Sequence, residues 1–480
     1  MKARPFQFLD VPRRMPRELP ANVRVLGWQE IYAGFEAEGA AEQGARCLDC
    51  GNPYCEWKCP VHNPIPDWLA LVREDRLFEA AELAHSTNPL PEVCGRVCPQ
   101  DRLCEGDCTL HTGFEAVTIG AIEKYIVDEA FRQGWRPDLS AVRPSGKRVA
   151  VIGAGPAGLA CADRLARAGI QAHVFDRHAQ IGGLLSYGIP AFKLEKSVMD
   201  VRREVLEGMG VQFHLSVDVD AALGAGLLRD HDALFLGTGA TTPVDAGLPG
   251  QELPGVLSAL PFLVANARRQ RGEKHEGDVN FALAGRRVLV LGGGDTAMDC
   301  VRSAVRLGAA QVTCAYRRGE ADMPGSAREV KHARAEGVHF LFHRQPLAIE
   351  GGAAVTGVRL AATRASSGRA GALELVPGSE ETIAADVVIQ SFGFRASPAS
   401  WWPGQGIELD ARGHVATRGP AGATSHPKVF AGGDNVRGAD LVVTAVYDGR
   451  EAGDAIARQL TAPVGGTSVP IVGRPASHRD

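Results

Sequence analysis

The order of apolar and polar residues predicts two copies of a unit made of a β-strand, a glycine turn and an α-helix. An apolar run at residues 149–152 leads directly into Gly153, and a similar run at residues 288–291 leads into Gly292. Short apolar runs that end in glycine are typical of buried parallel strands, and the stretches that follow have helical periodicity. The turn glycine and the glycine that closes the helix have the same spacing in both copies, which indicates an internal duplication.

Further apolar runs predict additional buried strands. They lie at residues 232–239, 386–393 and 428–434, and each run reaches a glycine. Helices are expected at residues 28–46, 67–85 and 441–457. Strands that alternate with helices predict an α/β fold with parallel sheets, and the region before the first strand is expected to be helical.

The first glycine turn has the form of a dinucleotide-binding loop. Its first glycine permits a tight turn, the second lets the backbone approach a pyrophosphate, and the third lets the helix pack against the strand. The helix N-terminus supplies N–H groups and a positive dipole for the phosphates. Asp176 ends the next strand, where an acidic side chain binds a ribose hydroxyl. The loop consists of Gly153, Ala154, Gly155, Pro156, Ala157 and Gly158.

The second copy differs from the first at the end of the strand that follows the glycine turn and its helix. The strand that follows it ends in Arg317 and Arg318 instead of an acid. Arginine accommodates a 2'-phosphate through charge-assisted hydrogen bonds, whereas an acid favours a free 2'-hydroxyl. We therefore expect FAD in the first site and NADPH, not NADH, in the second; the alternative is a solvated arginine pair. The second loop consists of Gly292, Gly293, Gly294, Asp295, Thr296 and Ala297.

Three further places in the sequence are candidate contacts of a flavin. A glycine pair after Asp176 falls where the backbone would pass close to the bound cofactor, and an acid follows the last short strand. The dipole of the last helix would stabilise negative charge on a reduced isoalloxazine. The candidate residues are Gly182, Gly183, Leu184, Gly433, Asp434 and Thr444.

Composition and charge exclude several classes of partner. The chain has 480 residues, a formal net charge of -4 and 45% hydrophobic residues, which is ordinary for a folded protein of about three domains. Without a long basic run, nothing favours binding to nucleic acid or to an anionic membrane surface. Because a signal-peptide core and a membrane-spanning apolar run are both missing, we expect a cytoplasmic location.

The cysteines indicate metal binding in the helical region. Eight of the 11 cysteines lie between Cys47 and Cys108, and such clustering in an intracellular protein favours metal over disulfides. The spacing contains a single CxxC pair, which fits two cubane iron-sulfur clusters better than zinc, since zinc favours two short knuckles. Structural zinc is the alternative.

The order of ligands in two-cluster ferredoxins, in which one cysteine crosses to the other cluster, suggests how the thiols are shared. The fourth ligand of the second cluster is open, because a thiol and a carboxylate are both candidates. One predicted set consists of Cys47, Cys50, Cys55 and Cys108. The other consists of Cys59, Cys98 and Cys104, with either Cys94 or Glu123.

These modules complement one another chemically. A nicotinamide releases two electrons as a hydride, whereas a cubane cluster accepts one electron, and a flavin can exchange both. A pyridine-nucleotide reductase with a flavin between the two carriers is therefore the favoured function. No general acid or base is assigned, because the protein's task is to orient the two reacting groups.

The two glycine loops, the sequence Ala431-Gly432-Gly433-Asp434 and the eight-cysteine region together resemble the small (beta) subunit of bacterial NADPH-dependent glutamate synthase. The resemblance covers essentially the whole chain. It implies a helical domain with two [4Fe-4S] clusters attached to an adrenodoxin-reductase-like flavoprotein, in which the NADPH domain interrupts the FAD domain. It also implies a hetero-oligomer with a large (alpha) subunit that carries FMN and makes L-glutamate from L-glutamine and 2-oxoglutarate.

The resemblance and the linkers together predict four segments. Residues 1–145 form the iron-sulfur domain, residues 146–275 the first part of the FAD domain, residues 276–397 the NADPH domain, and residues 398–480 the second part of the FAD domain with a mobile tail. Three other functions stay open: an NADPH:ferredoxin-type transhydrogenase subunit with another partner, a nucleotide-responsive binding protein, and a complete amidotransferase. The last is disfavoured because no nucleophilic cysteine follows Met1.

Overall fold

The structure is a computed structural model that describes residues 6–366, 372–419 and 421–462. The predicted tail after Ala462 lies outside the described residues. Across these described ranges, no helix has both the length and the apolar character needed to cross a lipid bilayer.

The N-terminal domain is helical, as predicted. Its helices pack around a core that includes Trp68, Ile122 and Ile126, all with 0% of their surface exposed. The helices are α1 (Gln7–Asp10), α2 (Ala21–Arg24), α3 (Ala37–Gly44), α4 (Tyr54–Lys58), α5 (Ile65–Arg73), α6 (Leu77–Thr87), α7 (Pro91–Val97), α8 (His111–Phe114) and α9 (Ile119–Arg132).

Two helix predictions in this domain are wrong in detail. Residues 28–36 are not helical; the N–H of Ile31 donates instead to the carbonyl of Phe192 at 3.3 Å, and Tyr32 pairs with Glu18 in a β-bridge. The single helix expected at residues 67–85 is two helices, separated by a turn in which Asp75 has a φ of 61°. Tertiary contacts and a left-handed residue, which apolar periodicity does not report, decide both outcomes.

The first sheet has the parallel core that the first glycine loop predicts. Its strand order is β16-β17-β18-β4-β1-β2-β3, and the strands from β18 to β3 are parallel. These strands are β1 (Arg148–Ile152), β2 (Gln171–Asp176), β3 (Gln212–Leu215), β4 (Ala233–Leu236), β16 (Thr417–Arg418), β17 (Ala423–Thr424) and β18 (Val429–Ala431). The helices of this domain are α10 (Pro156–Arg167), α11 (Leu184–Tyr187), α12 (Lys196–Gly208), α13 (Ala221–Asp230), α17 (Asp434–Arg437) and α18 (Val442–Thr461).

The second sheet is fully parallel and has the order β6-β14-β7-β8-β9. A smaller antiparallel sheet of β10 to β13 belongs to the same domain. The strands are β6 (Val256–Ser258), β7 (Arg287–Leu291), β8 (Gln311–Tyr316), β9 (His339–Phe342), β10 (Arg344–Gly351), β11 (Val355–Ala365), β12 (Leu373–Leu375), β13 (Glu381–Ala384) and β14 (Val387–Gln390). The helices are α14 (Ala259–Arg271), α15 (Asp295–Arg306) and α16 (Ala327–Ala335).

The second domain is inserted into the first. The chain leaves the first sheet after β4 and returns to it at β16, and β5 (Thr242–Pro243) pairs with β15 (Phe394–Arg395) where the two crossings meet. Because β6 and α14 belong to the second sheet and its core, that domain begins before the boundary expected at residue 275. The predicted fold class, a helical domain followed by two Rossmann-like domains of which the second is inserted in the first, is confirmed.

Candidate functional site

A cavity of about 740 Å³ opens at the carboxyl ends of the parallel strands of the first sheet. Ligands of open α/β sheets bind at this edge. The cavity also touches the helical domain and the second nucleotide domain. The predicted residues that line it are Gly153, Gly155, Pro156, Ala157, Asp176, Gly183, Leu184, Asp295, Thr296, Gly433 and Asp434. Ala154, Gly158, Gly182 and Thr444 do not line it.

The two turn glycines are required by the same local geometry in both domains. Gly153 has a φ of 103° and Gly292 a φ of 145°. A Cβ at Gly153 would overlap the carbonyl oxygen of Gly237, and one at Gly292 would overlap that of Ser391. Gly155, in contrast, faces open space, with its nearest obstacle 4.0 Å away. This opening beside the N-terminus of α10 fits a pyrophosphate.

Asp176 is held against the first glycine loop. Its carboxylate accepts hydrogen bonds from the backbone N–H groups of Ala154 and His178, both at 2.8 Å. Each carboxylate oxygen can accept a further hydrogen bond. The side chain therefore both stabilises the loop and remains suited to a ribose hydroxyl at the wall of the cavity.

The glycine pair before Asp434 is positioned by an ion pair that the sequence did not indicate. Asp448 on α18 accepts from the N–H of Gly433 at 2.9 Å and from Nε of Arg437 at 2.8 Å. Gly432 must be glycine, because a Cβ there would lie 2.8 Å from that of Asp448. The loop thereby presents Asp434 to the large cavity.

Asp434 should make the stability of the flavin-free protein depend on pH. Burial raises the pKa of Asp434 to about 7. A carboxyl with a higher pKa in the folded state stabilises the fold at acidic pH, and this contribution is lost as the pH rises through that value. We expect the Tm of the flavin-free wild type to fall more steeply than that of Asp434→Asn as the pH is raised towards 8, about one unit above that pKa. Parallel curves for the two proteins would contradict this.

The second glycine loop and the arginine pair lie in the second domain. The backbone carbonyl of Arg317 accepts from Oγ1 of Thr363 at 2.6 Å, and that of Arg318 accepts from the N–H of His343 at 3.0 Å. These contacts fix the end of β8. Arg317 is exposed and Arg318 half-buried, and neither lines the large cavity. The first two residues of α15, in contrast, line that cavity, and Gly293 of the second loop packs against Tyr316 at the end of β8.

Sequence reasoning missed a buried ion cluster between the two nucleotide domains. Nζ of Lys193 donates to Asp299 at 2.8 Å and lies 3.6 Å from Glu329, and all three residues line the large cavity. Burial raises the pKa of Asp299 to about 6. No sequence motif marks this cluster, because its members come from separate elements that only the fold brings together.

The eight cysteines divide between two cavities in the helical domain. The seven cysteines that the sequence assigned to a set lie in two cavities in the same grouping. Cys94 lies with the second group, so that four cysteines line each cavity. The first cavity is lined by Cys47, Cys50, Cys55 and Cys108. The second is lined by Cys59, Cys94, Cys98 and Cys104, together with Glu123.

The thiol cavities lie in a row with the large cavity. Ile119 lines both thiol cavities, and Cys98 lines both the second thiol cavity and the large cavity. At the start of α18, Val442 lines the large cavity and Val443 lines the second thiol cavity. The first thiol cavity is the outermost of the three, and Tyr54 beside it is 50% exposed.

The surroundings of the thiols favour a multi-iron cluster. Burial raises the pKa of Cys55 and Cys59 to about 12, so thiolates there need compensating positive charge. Within the described ranges, no three Cys, His, Asp or Glu side chains are close enough to hold a single metal ion. A cubane cluster is held by four ligands, most often thiolates, and each of the two cavities is lined by four cysteines.

Either Cys94 or Glu123 is in a position to complete the second set. Asn88 contacts both: its amide nitrogen donates to Glu123 at 3.1 Å, and its Oδ1 lies 3.7 Å from Sγ of Cys94. Both side chains are buried and line the same cavity. The structure therefore leaves the choice between these ligands open.

Two protein-family models match the chain in consecutive segments. Residues 24–135 match dihydropyrimidine dehydrogenase domain II, 4Fe-4S cluster. Residues 147–449 match pyridine nucleotide-disulphide oxidoreductase. The match to the second model covers more than half of the chain.

Similar proteins agree with this division. The chain is 56% identical to the glutamate synthase [NADPH] small chain of Halomonas elongata over 459 residues, covering 94% of this chain and 97% of the relative. It is also 56% identical to the small chain of Escherichia coli K12 over 467 residues, covering 95% and 98%. Among solved structures, FprA of Mycobacterium tuberculosis in complex with NADPH aligns with a TM-score of 0.54 at 19% identity, covering 66% of this chain and 85% of FprA. That likeness concerns the fold.

The fold and the sites define a pyridine-nucleotide-dependent flavoprotein oxidoreductase with an N-terminal iron-sulfur domain. Within that class, the 56% identity over nearly the full length of both small chains shows the family. The chain belongs to the family of small chains of NADPH-dependent glutamate synthase.

Proposed function

We propose that the protein is the electron-input subunit of a cytoplasmic glutamate synthase. It oxidises NADPH and delivers the electrons to a large subunit that carries FMN and forms L-glutamate from L-glutamine and 2-oxoglutarate. Bound FAD would supply the exchange between hydride transfer and single-electron transfer, and two [4Fe-4S] clusters would supply the single-electron carriers. The row of three cavities from the nucleotide domains to the surface of the helical domain is the observation that carries the proposal.

The residues of the first nucleotide domain suit FAD. The opening at Gly155 and the N-terminus of α10 would receive the pyrophosphate, and Asp176 a ribose. Asp434 would bind a hydroxyl of the flavin chain, because it lines the same cavity. The first turn of α18 would orient the ring system, with its N-terminal dipole towards the flavin.

The residues of the second nucleotide domain suit NADPH. Its glycine loop repeats the turn geometry of the first, and α15 directs Asp295 and Thr296 into the shared cavity. This arrangement would bring a nicotinamide towards the flavin, while Arg317 and Arg318 would bind the 2'-phosphate at the end of β8.

Arg317→Ala should weaken the preference for NADPH. Loss of a charge-assisted hydrogen bond to the 2'-phosphate is expected to raise the KM for NADPH about 10- to 100-fold, with little change in the KM for NADH. Steady-state dye reduction with each nucleotide measures this. Arg286→Ala is a matched control, since Arg286 precedes β7 at the opposite end of the sheet. An unchanged ratio of the two KM values in Arg317→Ala would exclude the assignment.

The fourth ligand of the second cluster can be assigned with two variants that remove the donor atom. If Cys94 is the ligand, Cys94→Ala loses one cluster and Glu123→Leu keeps both; if Glu123 is the ligand, the reverse is expected. Iron and sulfide analysis with EPR spectroscopy of the reduced proteins distinguishes the cases. Zinc without acid-labile sulfide in the wild type would exclude clusters altogether.

Copurification and activity measurements test the function itself. The native protein should copurify with a large FMN-containing subunit and support glutamine-dependent glutamate formation with NADPH. NADPH-dependent dye and ferredoxin reduction without such a partner would instead identify a transhydrogenase-type subunit. A protein without any NADPH-dependent dye reduction would be a binding or assembly protein.

A further inference from the structure

A second cavity lies on the boundary of the two nucleotide domains, next to the large cavity, with which it shares Ile189, and none of the eight clustered cysteines lines it. Its volume is about 320 Å³, which suits a small metabolite. One wall is formed by residues 188–191 and the start of α12, which belong to the first domain. The other wall is formed by the last two turns of α14, which belongs to the second domain.

Three donors from both domains meet at this cavity. Lys196 lines it from α12, and Asn266 and Arg271 line it from α14. Two N–H groups of Lys196 are used, since its Nζ donates to the carbonyl oxygens of Leu185 at 2.8 Å and Ile189 at 2.5 Å. An ammonium has three donors, so one remains for a ligand.

The side chains of the other two donors lack hydrogen-bond partners at the atoms that concern this cavity, within the described part of the chain. Asn266 is 3% exposed, and its amide makes no side-chain hydrogen bond to any described residue. Nε and Nη2 of Arg271 are buried and make no hydrogen bond within that same part of the chain. Its nearest carboxylate, that of Asp200, is 3.8 Å from Nη2, beyond hydrogen-bond distance.

The electrostatic balance of the cavity favours an anion. Burial, and next to it the nearby positive charge of Arg271, lower the pKa of Lys196 to about 7. Among the described residues that line the cavity, Glu195 is the one acid, and it accepts a hydrogen bond from the N–H of Glu30 at 3.1 Å. Buried polar groups without partners are costly, and a bound oxyanion would satisfy all three donors.

We propose that this cavity binds a small carboxylate or phosphate anion through Lys196, Asn266 and Arg271. The ligand would connect α12 of the first nucleotide domain with α14 of the second and so restrain their relative movement. Anion binding at this cavity would require neither the partner subunit nor electron transfer.

Isothermal titration calorimetry of the full-length holoprotein tests this, with inorganic phosphate and with succinate at constant ionic strength. We expect saturable binding of one equivalent of at least one anion, and a rise in Tm that saturates with it. Binding of phosphate alone, of succinate alone or of both shows whether the cavity accepts phosphate, carboxylate or both kinds of anion. Each of these results supports the site. Binding of neither would overturn the proposal.

Variants assign the binding to this cavity. Arg271→Gln should weaken binding about tenfold or more, as expected for a lost hydrogen bond to a charged group. Arg269→Gln is the matched control on the same helix, because Arg269 is exposed and does not line the cavity. The isosteric Asn266→Asp, which adds a negative charge, should weaken binding as well and serves if Arg271→Gln does not fold. Unchanged affinity in both cavity variants would overturn the assignment.

Discussion

Replacing Cys55 by serine is expected to abolish glutamate formation while NADPH-dependent reduction of ferricyanide stays near the wild-type rate. Cys55 lines the outermost of the three cavities, and a serine oxygen is a poor substitute for the thiolate that iron-sulfur clusters require. In the proposed electron path, a flavin can reduce ferricyanide without the outer cluster, whereas electron delivery to the large subunit would require it. Iron content, both activities and complex formation with the large subunit should be measured on one preparation.

The matched control is Cys300→Ala. Cys300 is a buried lone cysteine on α15, and its removal should leave both activities intact with a stability loss of about 1 kcal/mol. If Cys55→Ser kept full glutamate formation, the outer thiol cavity would not lie on the route to the partner. Loss of dye reduction in the same variant would show that the damage extends to the flavin site.

Gly449→Ala is expected to destabilise the protein and lower its FAD content. Gly449 lies on α18 where this helix crosses α10, and a Cβ there would overlap the carbonyl oxygen of Ala157. Gly433 also packs on Ala157, with its ideal Cβ position 3.0 Å from the Cβ of that residue. Ala157, in the first turn of α10, therefore has close contacts with both glycines. We expect a loss of about 3 kcal/mol or more.

Gly208→Ala serves as the control for this substitution. Gly208 is the last residue of α12, and nothing lies within 4 Å of its ideal Cβ position. Because alanine is the better helix former, stability should stay unchanged or rise by up to about 1 kcal/mol. Urea denaturation and flavin absorbance compare the two variants. Equal stability of Gly449→Ala and the wild type would show that the two helices can separate without cost.

The sequence was sufficient for features that depend on local geometry. The turns at Gly153 and Gly292 were predictable from a glycine that stands between a buried strand and a helix. Such a turn needs a positive φ, which glycine adopts without steric cost. The parallel sheets follow from the alternation of strands and helices. The cysteines line two cavities in the grouping that the ligand order of two-cluster ferredoxins suggests, and their binding of two clusters stays a prediction.

Features that depend on distant contacts were not predictable in the same way. The region 28–36 has an apolar pattern compatible with a helix, yet its backbone pairs with Phe192 and Glu18. The boundary expected at residue 275 was too late, because β6 is short and only its pairing with β14 shows to which sheet it belongs. None of these three backbone contacts produces a periodic pattern of apolar residues in the sequence.

The amino-acid sequence by itself determined the kinds of site: two glycine loops, an acid in one copy, an arginine pair in the other, and eight thiols at cluster spacing. Only the tertiary structure decided their order in space, with Cys98 between the large cavity and the second thiol cavity and Ile119 between the two thiol cavities. It alone also produced the ion cluster at Lys193 and the cavity at Arg271. The reason is physical: a motif reflects interactions between neighbours along the chain, whereas these arrangements arise where separate domains pack against one another.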